Sequence, residues 1–223
     1  ATPEASIEWR RTNVRPQRQA GFVVATATVP LGDLTAAQMD TLAELSLAFG
    51  DGTVRTTSEQ NLLLRWVPAE AVEALHACLA AAGLAESGAE GPADVVSCPG
   101  AESCRLAVTH SRGLGRLLAD SLRSRPEVAA VAPELRLRVS GCPHGCGRHH
   151  VADIGFQGSL RQLGEKTAPH YFVLIGGGAD GEHTAFGRVV AKLPARRVPA
   201  AVERLLQLYQ SQRRPGETAR QYL

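Results

Sequence analysis

The apolar positions of this chain alternate between short runs and helical stripes, and their order predicts an α+β fold. Phe22-Val23-Val24-Ala25-Thr26-Ala27-Thr28-Val29 is rich in β-branched residues and ends at Pro30, so residues 22–29 read as a strand. Thr35-Ala36-Ala37-Gln38 has the capping-box pattern; Met39, Leu42, Leu45 and Phe49 then fall near one helical face, and Gly50 supplies a stop. Short strands are expected over residues 54–57 and 62–67. Pro68 opens a second helix with Val72, Leu75 and Leu79 on its buried side, closed by Gly83. Cys78, beside Leu79, reads as a small buried hydrophobe. Strand, helix, strand, strand, helix is most of a ferredoxin-like split unit.

Residues 88–92, Gly88 to Pro92, form a small-residue joint, which divides the chain into domains 1–88 and 89–223. Beyond it a helix is expected from Ser103 to about Ser124, and Leu135 to Val139 alternates apolar residues with arginine like a half-exposed strand. Ile154 to Phe156, Tyr171 to Ile175 and Arg188 to Ala191 are further strand candidates. Pro199 opens a last helix carrying Val202, Leu205, Leu206 and Tyr209, and the polar tail after Arg214 is expected to wrap or fray. No segment repeats another.

Composition narrows the picture only a little. The net charge of +2 and pI near 8.4 are too mild for a nucleic-acid binder, and the arginines are scattered. No apolar run reaches membrane-spanning length. Five cysteines are an odd count with no secretory segment ahead of them, which argues for a reducing, cytoplasmic setting and against a disulfide framework. The chain starts at Ala1 rather than Met, which reads as a trimmed N-terminus.

The chemistry gathers in two Gly/Pro-bent loops. Cys98-Pro99-Gly100-Ala101-Glu102-Ser103-Cys104 is C-x5-C, and Cys142-Pro143-His144-Gly145-Cys146 is C-x3-C. Four thiolates satisfy an iron–sulfur cubane or a tetrahedral zinc, and the five-residue gap lies outside the usual spacing of zinc knuckles. His149 and His150 invite a zinc reading, yet adjacent positions diverge on a helix or strand, so at least one is a packing or surface histidine. Gly176-Gly177-Gly178-Ala179-Asp180-Gly181 matches the dinucleotide signature, but no helix is expected after it, and a turn is the better reading.

Together these residues resemble the siroheme-dependent nitrite and sulfite reductase family. Cys98-x5-Cys104, the run from Val139 through Gly147, Ala152-Asp153-Ile154-Gly155-Phe156-Gln157-Gly158, Arg55-Thr56-Thr57-Ser58-Glu59-Gln60-Asn61 and the entry segment Asn13 to Gly21 carry the resemblance. It implies a ferredoxin-like half-repeat followed by a 4Fe-4S/siroheme domain with a mixed sheet, the second half of a two-repeat enzyme. By the same resemblance Cys98, Cys104, Cys142 and Cys146 hold a 4Fe–4S cluster, and Cys146 also serves as the axial thiolate of siroheme. Arg148, Arg55, Gln60 and Asn61 are candidate donors to the carboxylates of siroheme. His144, also a candidate cofactor-binding residue, stands where many members have Asn; either side chain could donate to the macrocycle or to a cluster sulfur, and a histidine could also titrate, which leaves its role open.

The implied reaction is six-electron reduction of nitrite to ammonia or sulfite to sulfide, fed by ferredoxin or a flavoprotein. The missing first repeat would come from the same gene product, a partner chain or a homodimer. The resemblance leaves two other readings: a precorrin-3B synthase-like cluster enzyme, against which the Ile154-to-Gly158 run argues, and an electron-transfer subunit that holds only the cluster.

Overall fold

The computed structural model describes residues 3–179 and 184–223, and the chain divides into two compact units, residues 1–89 and 90–223. Among the described residues no helix is long and apolar enough to cross a membrane.

Unit 1 runs α1 (Pro3–Asn13), β1 (Val14–Pro16), β2 (Phe22–Ala27), α2 (Ala36–Phe49), β3 (Val54–Thr56), β4 (Leu62–Pro68) and α3 (Val72–Ala81). Its strands form an antiparallel sheet in the order β1-β2-β4-β3. The capping box is present as expected, with Thr35 Oγ1 accepting from the Gln38 amide and Gln38 Oε1 from the Thr35 amide. Leu42, Leu64, Val67, Leu75 and Leu79 fill the core.

Three features of unit 1 differ from the expectation. Helix α1 has no apolar stripe to announce it: Ile7 is exposed, and Trp9 is its one fully buried apolar anchor, with its ring 4.9 Å from that of His76. Met39 is 60% exposed, because Gln38 takes the inward position and its Nε2 donates to Ala82 O at the end of α3. Cys78 is exposed, since the buried face of α3 is Val72, Leu75, His76 and Leu79, and position 78 turns away from it. At the end of α1, buried Asn13 donates to the carbonyls of Thr26 and Glu86 and to Thr28 Oγ1, all at 3.0 Å, tying helix, strand and the closing segment together.

Unit 2 contains β5 (Val96–Ser97), α4 (Ser111–Arg123), α5 (Pro126–Ala129), β6 (Leu137–Ser140), β7 (Ile154–Leu163), β8 (Lys166–Ile175), β9 (Gly178–Ala179), β10 (Thr184–Ala185), β11 (Arg188–Pro194), α6 (Val198–Gln212) and α7 (Ala219–Tyr222). The main sheet has the order β11-β8-β7-β6-β5 and is mixed, with β5, β6 and β7 parallel and β8 and β11 antiparallel. Helices α4 and α6 contribute Leu114, Leu118, Leu122, Val202, Leu206 and Tyr209 to its core.

Strand β6 is buried along its whole length, Arg138 included, and not half-exposed as its alternation suggested, because it is an interior strand with parallel neighbours on both sides. Helix α4 begins at Ser111, eight residues later than expected from Ser103, because the intervening backbone is bonded to the second cysteine loop. The glycine run after β8 enters the β9 strand and opens no helix, which removes the dinucleotide reading; its Asp180 and Gly181 lie outside the described residues.

The tail docks and ends in α7, where Ala219 N donates to Glu134 Oε1 and Arg220 pairs with buried Asp153 at 2.6 Å. Asp153 also accepts from the Arg136 amide at 2.8 Å. Removing one partner from a buried ion pair leaves the other charge without compensation. Arg220→Ala is therefore expected to destabilise unit 2 by about 2–4 kcal/mol, read from a lower urea midpoint, whereas Arg123→Ala on the exposed surface should stay within about 0.5 kcal/mol.

Candidate metal and cofactor site

Both cysteine loops leave the same edge of the sheet. Val96 pairs with Arg138 and Ser97 with Val139 in parallel register, so Cys98 directly follows β5 while Gly141 and Cys142 directly follow β6. The loops are then stitched together at Gly141. Its carbonyl accepts from the Val108 and Thr109 amides at 3.0 and 3.2 Å and from Thr109 Oγ1 at 3.3 Å. Its amide donates to Cys98 Sγ at 3.2 Å. A side chain is excluded there: a Cβ on Gly141 would lie 2.9 Å from Thr109 O, and one on Gly158 would meet Thr109 Oγ1 at 2.2 Å.

The four thiols have different surroundings. Cys98 and Cys142 are buried, Cys104 is half-buried and Cys146 is exposed. Cys98 Sγ also meets Ser111 Oγ at 3.2 Å, and Cys142 Sγ meets His144 Nδ1 at 3.3 Å. The Cys104 amide donates to Gly100 O at 2.9 Å, which folds the first loop back on itself. Among the described residues no three His, Cys, Asp or Glu side chains are gathered tightly enough to clasp one ion, and the thiols are instead distributed over two joined loops.

After Cys146 the chain turns sharply. Gly145 and Arg148 both have positive φ, and the Arg148 amide donates to Gly145 O at 2.7 Å. Left-handed backbone is unusual for arginine, and here it directs residues 149–151 beneath the loop. His149 is buried and its Nε2 meets Gln157 Oε1 at 3.2 Å, while Nδ1 has no hydrogen-bond partner among the described residues. His150 lies edge-on to His149, and its ring is tilted 53° to that of Phe186 at 5.4 Å, so both imidazoles take part in aromatic packing.

Below the loops Tyr171 is buried opposite Gly158 on β8. Burial pushes its phenol above the ordinary value, the Thr109 hydroxyl bonded to it pulls down, and the nearby Cys98 thiol pushes up again. Ser111, Thr109 and Tyr171 were not singled out from the sequence. Ser111 had a visible signal, a small polar residue immediately ahead of an apolar helical stripe; the other two had none.

Arg55, Gln60 and Asn61 belong to unit 1, whereas the four loop cysteines, His144 and Arg148 belong to unit 2. Arg55 is exposed on β3 and Gln60 has φ +66°. Asn61 is buried, and its Oδ1 accepts from the Val29 amide at 2.9 Å.

Two family models match the chain, the nitrite/sulfite reductase ferredoxin-like half domain over residues 15–82 and the nitrite and sulphite reductase 4Fe-4S domain over residues 88–222. The chain belongs to the nitrite and sulfite reductase family. The assimilatory ferredoxin-dependent nitrite reductase of Haloferax mediterranei is 30% identical over 224 residues, covering 99% of this chain and 38% of that protein. Sulfite reductase [ferredoxin] 1 of Mycolicibacterium paratuberculosis is 29% identical over 219 residues, covering 96% and 40%. The chain thus spans about two fifths of the length of these relatives. The fold is that of the Mycobacterium tuberculosis NirA protein, with a TM-score of 0.82 at 23% identity over 95% of this chain and 39% of that one.

A 4Fe–4S cluster and siroheme are the cofactors of this family. The residues present fit the cluster: four thiols lie in two joined loops, and buried Cys98 already accepts a backbone N–H of the kind that tunes a thiolate ligand. Exposed Cys146 keeps its sulfur accessible to a second group.

His149 titrates against the fold. Burial holds it below the usual value of 6.5; the bond to Gln157 opposes that shift and His150 adds to it. A histidine buried neutral binds fewer protons folded than unfolded, so its contribution is complete above the unfolded value and is lost as pH falls below it. Urea midpoints are expected to drop between about pH 7 and about pH 5, and His149→Gln should flatten that slope. An unchanged slope would rule His149 out as its source.

Proposed function

We propose that this chain is the cluster-carrying half of a siroheme nitrite or sulfite reductase, catalysing the six-electron reduction of nitrite to ammonia or sulfite to sulfide. The observation that carries this reading is the joining of Cys98-x5-Cys104 to Cys142-x3-Cys146 at Gly141, at the ends of adjacent parallel strands, in a chain of this family.

Cys98, Cys104, Cys142 and Cys146 would hold the cluster, and the exposed Cys146 would also be available to siroheme. When bound, the two groups supply the electron storage and multi-electron chemistry that side chains lack. Arg148 would supply a donor for the carboxylates of siroheme, and the family resemblance proposes the same role for Arg55 and Gln60 of unit 1. His144 orients Cys142 through the 3.3 Å contact, and Asn61 acts at one remove by fixing the turn that presents Gln60. Ferredoxin is the favoured donor, since both relatives above carry it in their names, and a flavoprotein is the other candidate. The other side of the site comes from a further repeat, whether on the same gene product, a partner chain or a second copy.

Iron, sulfide and tetrapyrrole content test the assignment, with turnover assayed using a reduced viologen and either anion. Serine at position 98, 104, 142 or 146 should abolish or deplete the cluster, whereas Cys78→Ser should leave iron unchanged. In any variant that keeps a cluster, Cys146→Ser should disturb the visible siroheme bands far more than Cys98→Ser. Zinc in place of iron would overturn the cluster assignment; iron without siroheme bands would point to an electron-transfer subunit; oxygen-dependent turnover of a corrin precursor would point to the synthase-like enzyme.

A further inference from the structure

We propose that Ser111 is a positioning residue that sets the reduction potential of the cluster through the sulfur of Cys98, an inference that rests on the four-cysteine reading above. Ser111 is the first residue of α4 and is fully buried. Its hydroxyl does not cap the helix. It lies 2.8 Å from Cys98 O and 3.2 Å from Cys98 Sγ, shared between them. Ser111 Oγ donates to Cys98 O, and once Cys98 is a thiolate ligand with no proton of its own, the only hydrogen available between the two side chains is that same serine hydrogen, shared with the sulfur in a three-centre bond.

The chain makes room for this hydroxyl. Gly100 has φ +63°, and a Cβ there would fall 2.3 Å from Ser111 Oγ and 2.6 Å from Ser111 N. Any L side chain at position 100 would push Ser111 off Cys98, so the contact depends on two residues from two segments of chain. The Gly141 amide approaches the same sulfur at 3.2 Å. Cys98, which is buried, therefore has two donors beside its sulfur, while Cys146 is exposed.

Hydrogen bonds to cluster sulfurs and solvent exposure are among the determinants of cluster potential. Reduction adds negative charge that spreads onto the sulfurs, and a fixed donor stabilises that charge more in the reduced state than in the oxidised one. The stabilisation is large where water cannot substitute. Loss of the hydroxyl should therefore lower the midpoint potential and make the cluster harder to reduce.

Ser97 provides the control. Its hydroxyl is also buried and donates to Cys98 O at 3.0 Å. Replacing it removes a buried hydroxyl from the same carbonyl without taking the serine contact from the sulfur.

The test is a redox titration of the holoprotein followed by the electron paramagnetic resonance of the reduced cluster, for wild type, Ser111→Ala, Ser111→Thr and Ser97→Ala. The expected result is a lower midpoint in Ser111→Ala, with wild-type midpoints in Ser97→Ala and in Ser111→Thr, which keeps the hydroxyl. Should Ser111→Ala fail to hold a cluster, recovery of cluster and midpoint in Ser111→Thr supports the proposal, and failure of both variants overturns it. Equal shifts in Ser111→Ala and Ser97→Ala, or no shift in Ser111→Ala, overturn it while leaving the four-cysteine reading intact. Wild-type protein purified without iron or sulfide removes that reading and this inference together.

Discussion

Two residues of β5 pair in parallel with β6, and this short ladder decides where the first thiol of each loop emerges. Parallel neighbours end at the same side of a sheet, so chain segments far apart in sequence deliver Cys98 and Cys142 side by side. The loops then approach so closely that Gly100, Gly141 and Gly158 have no room for a side chain. Gly141 joins them, taking bonds from the first loop on its carbonyl and giving its amide to the first cysteine. The late start of α4, the burial of β6 and the sharp turn after Cys146 all accommodate that approach.

Away from the cysteines, both units use buried polar groups where the chain changes direction. Asn13 and Asn61 bind backbone groups in unit 1, and Asp153 does the same in unit 2 while holding Arg220. Each satisfies donors or acceptors that a turn would otherwise leave bare in an apolar surrounding. Unit 1 gains a further anchor in Trp9, whose ring brings an otherwise polar helix against α3.

The regular elements were readable because period and punctuation agreed in them. The Thr35 capping box, the stop at Gly50 and the Val72, Leu75, Leu79 stripe all reappear in the structure. The failures share a cause, since each depended on tertiary neighbours that a local pattern cannot show. Arg138 looked exposed until parallel strands flanked it on both sides, and Met39 looked buried until Gln38 reached the end of α3. Cys78 was one helical step from the true face. Within the site the two cysteine loops stood out by their spacing, whereas Thr109 and Tyr171 carried no signal and Ser111 only that of a helix start, because common residues become informative only once their tertiary neighbours are known.

The spacing of the cysteines along the chain has a mechanical consequence. A cluster held by Cys98, Cys104, Cys142 and Cys146 ties the end of β5 to the loop after β6, and so encloses all of α4 and α5 in a ring. Such a ring restricts the unfolded chain, as any long-range cross-link does, and metal binding becomes part of the folding free energy. An inorganic centre held in this way would act as a rivet for unit 2, so that loss of iron would loosen the fold as well as empty the site.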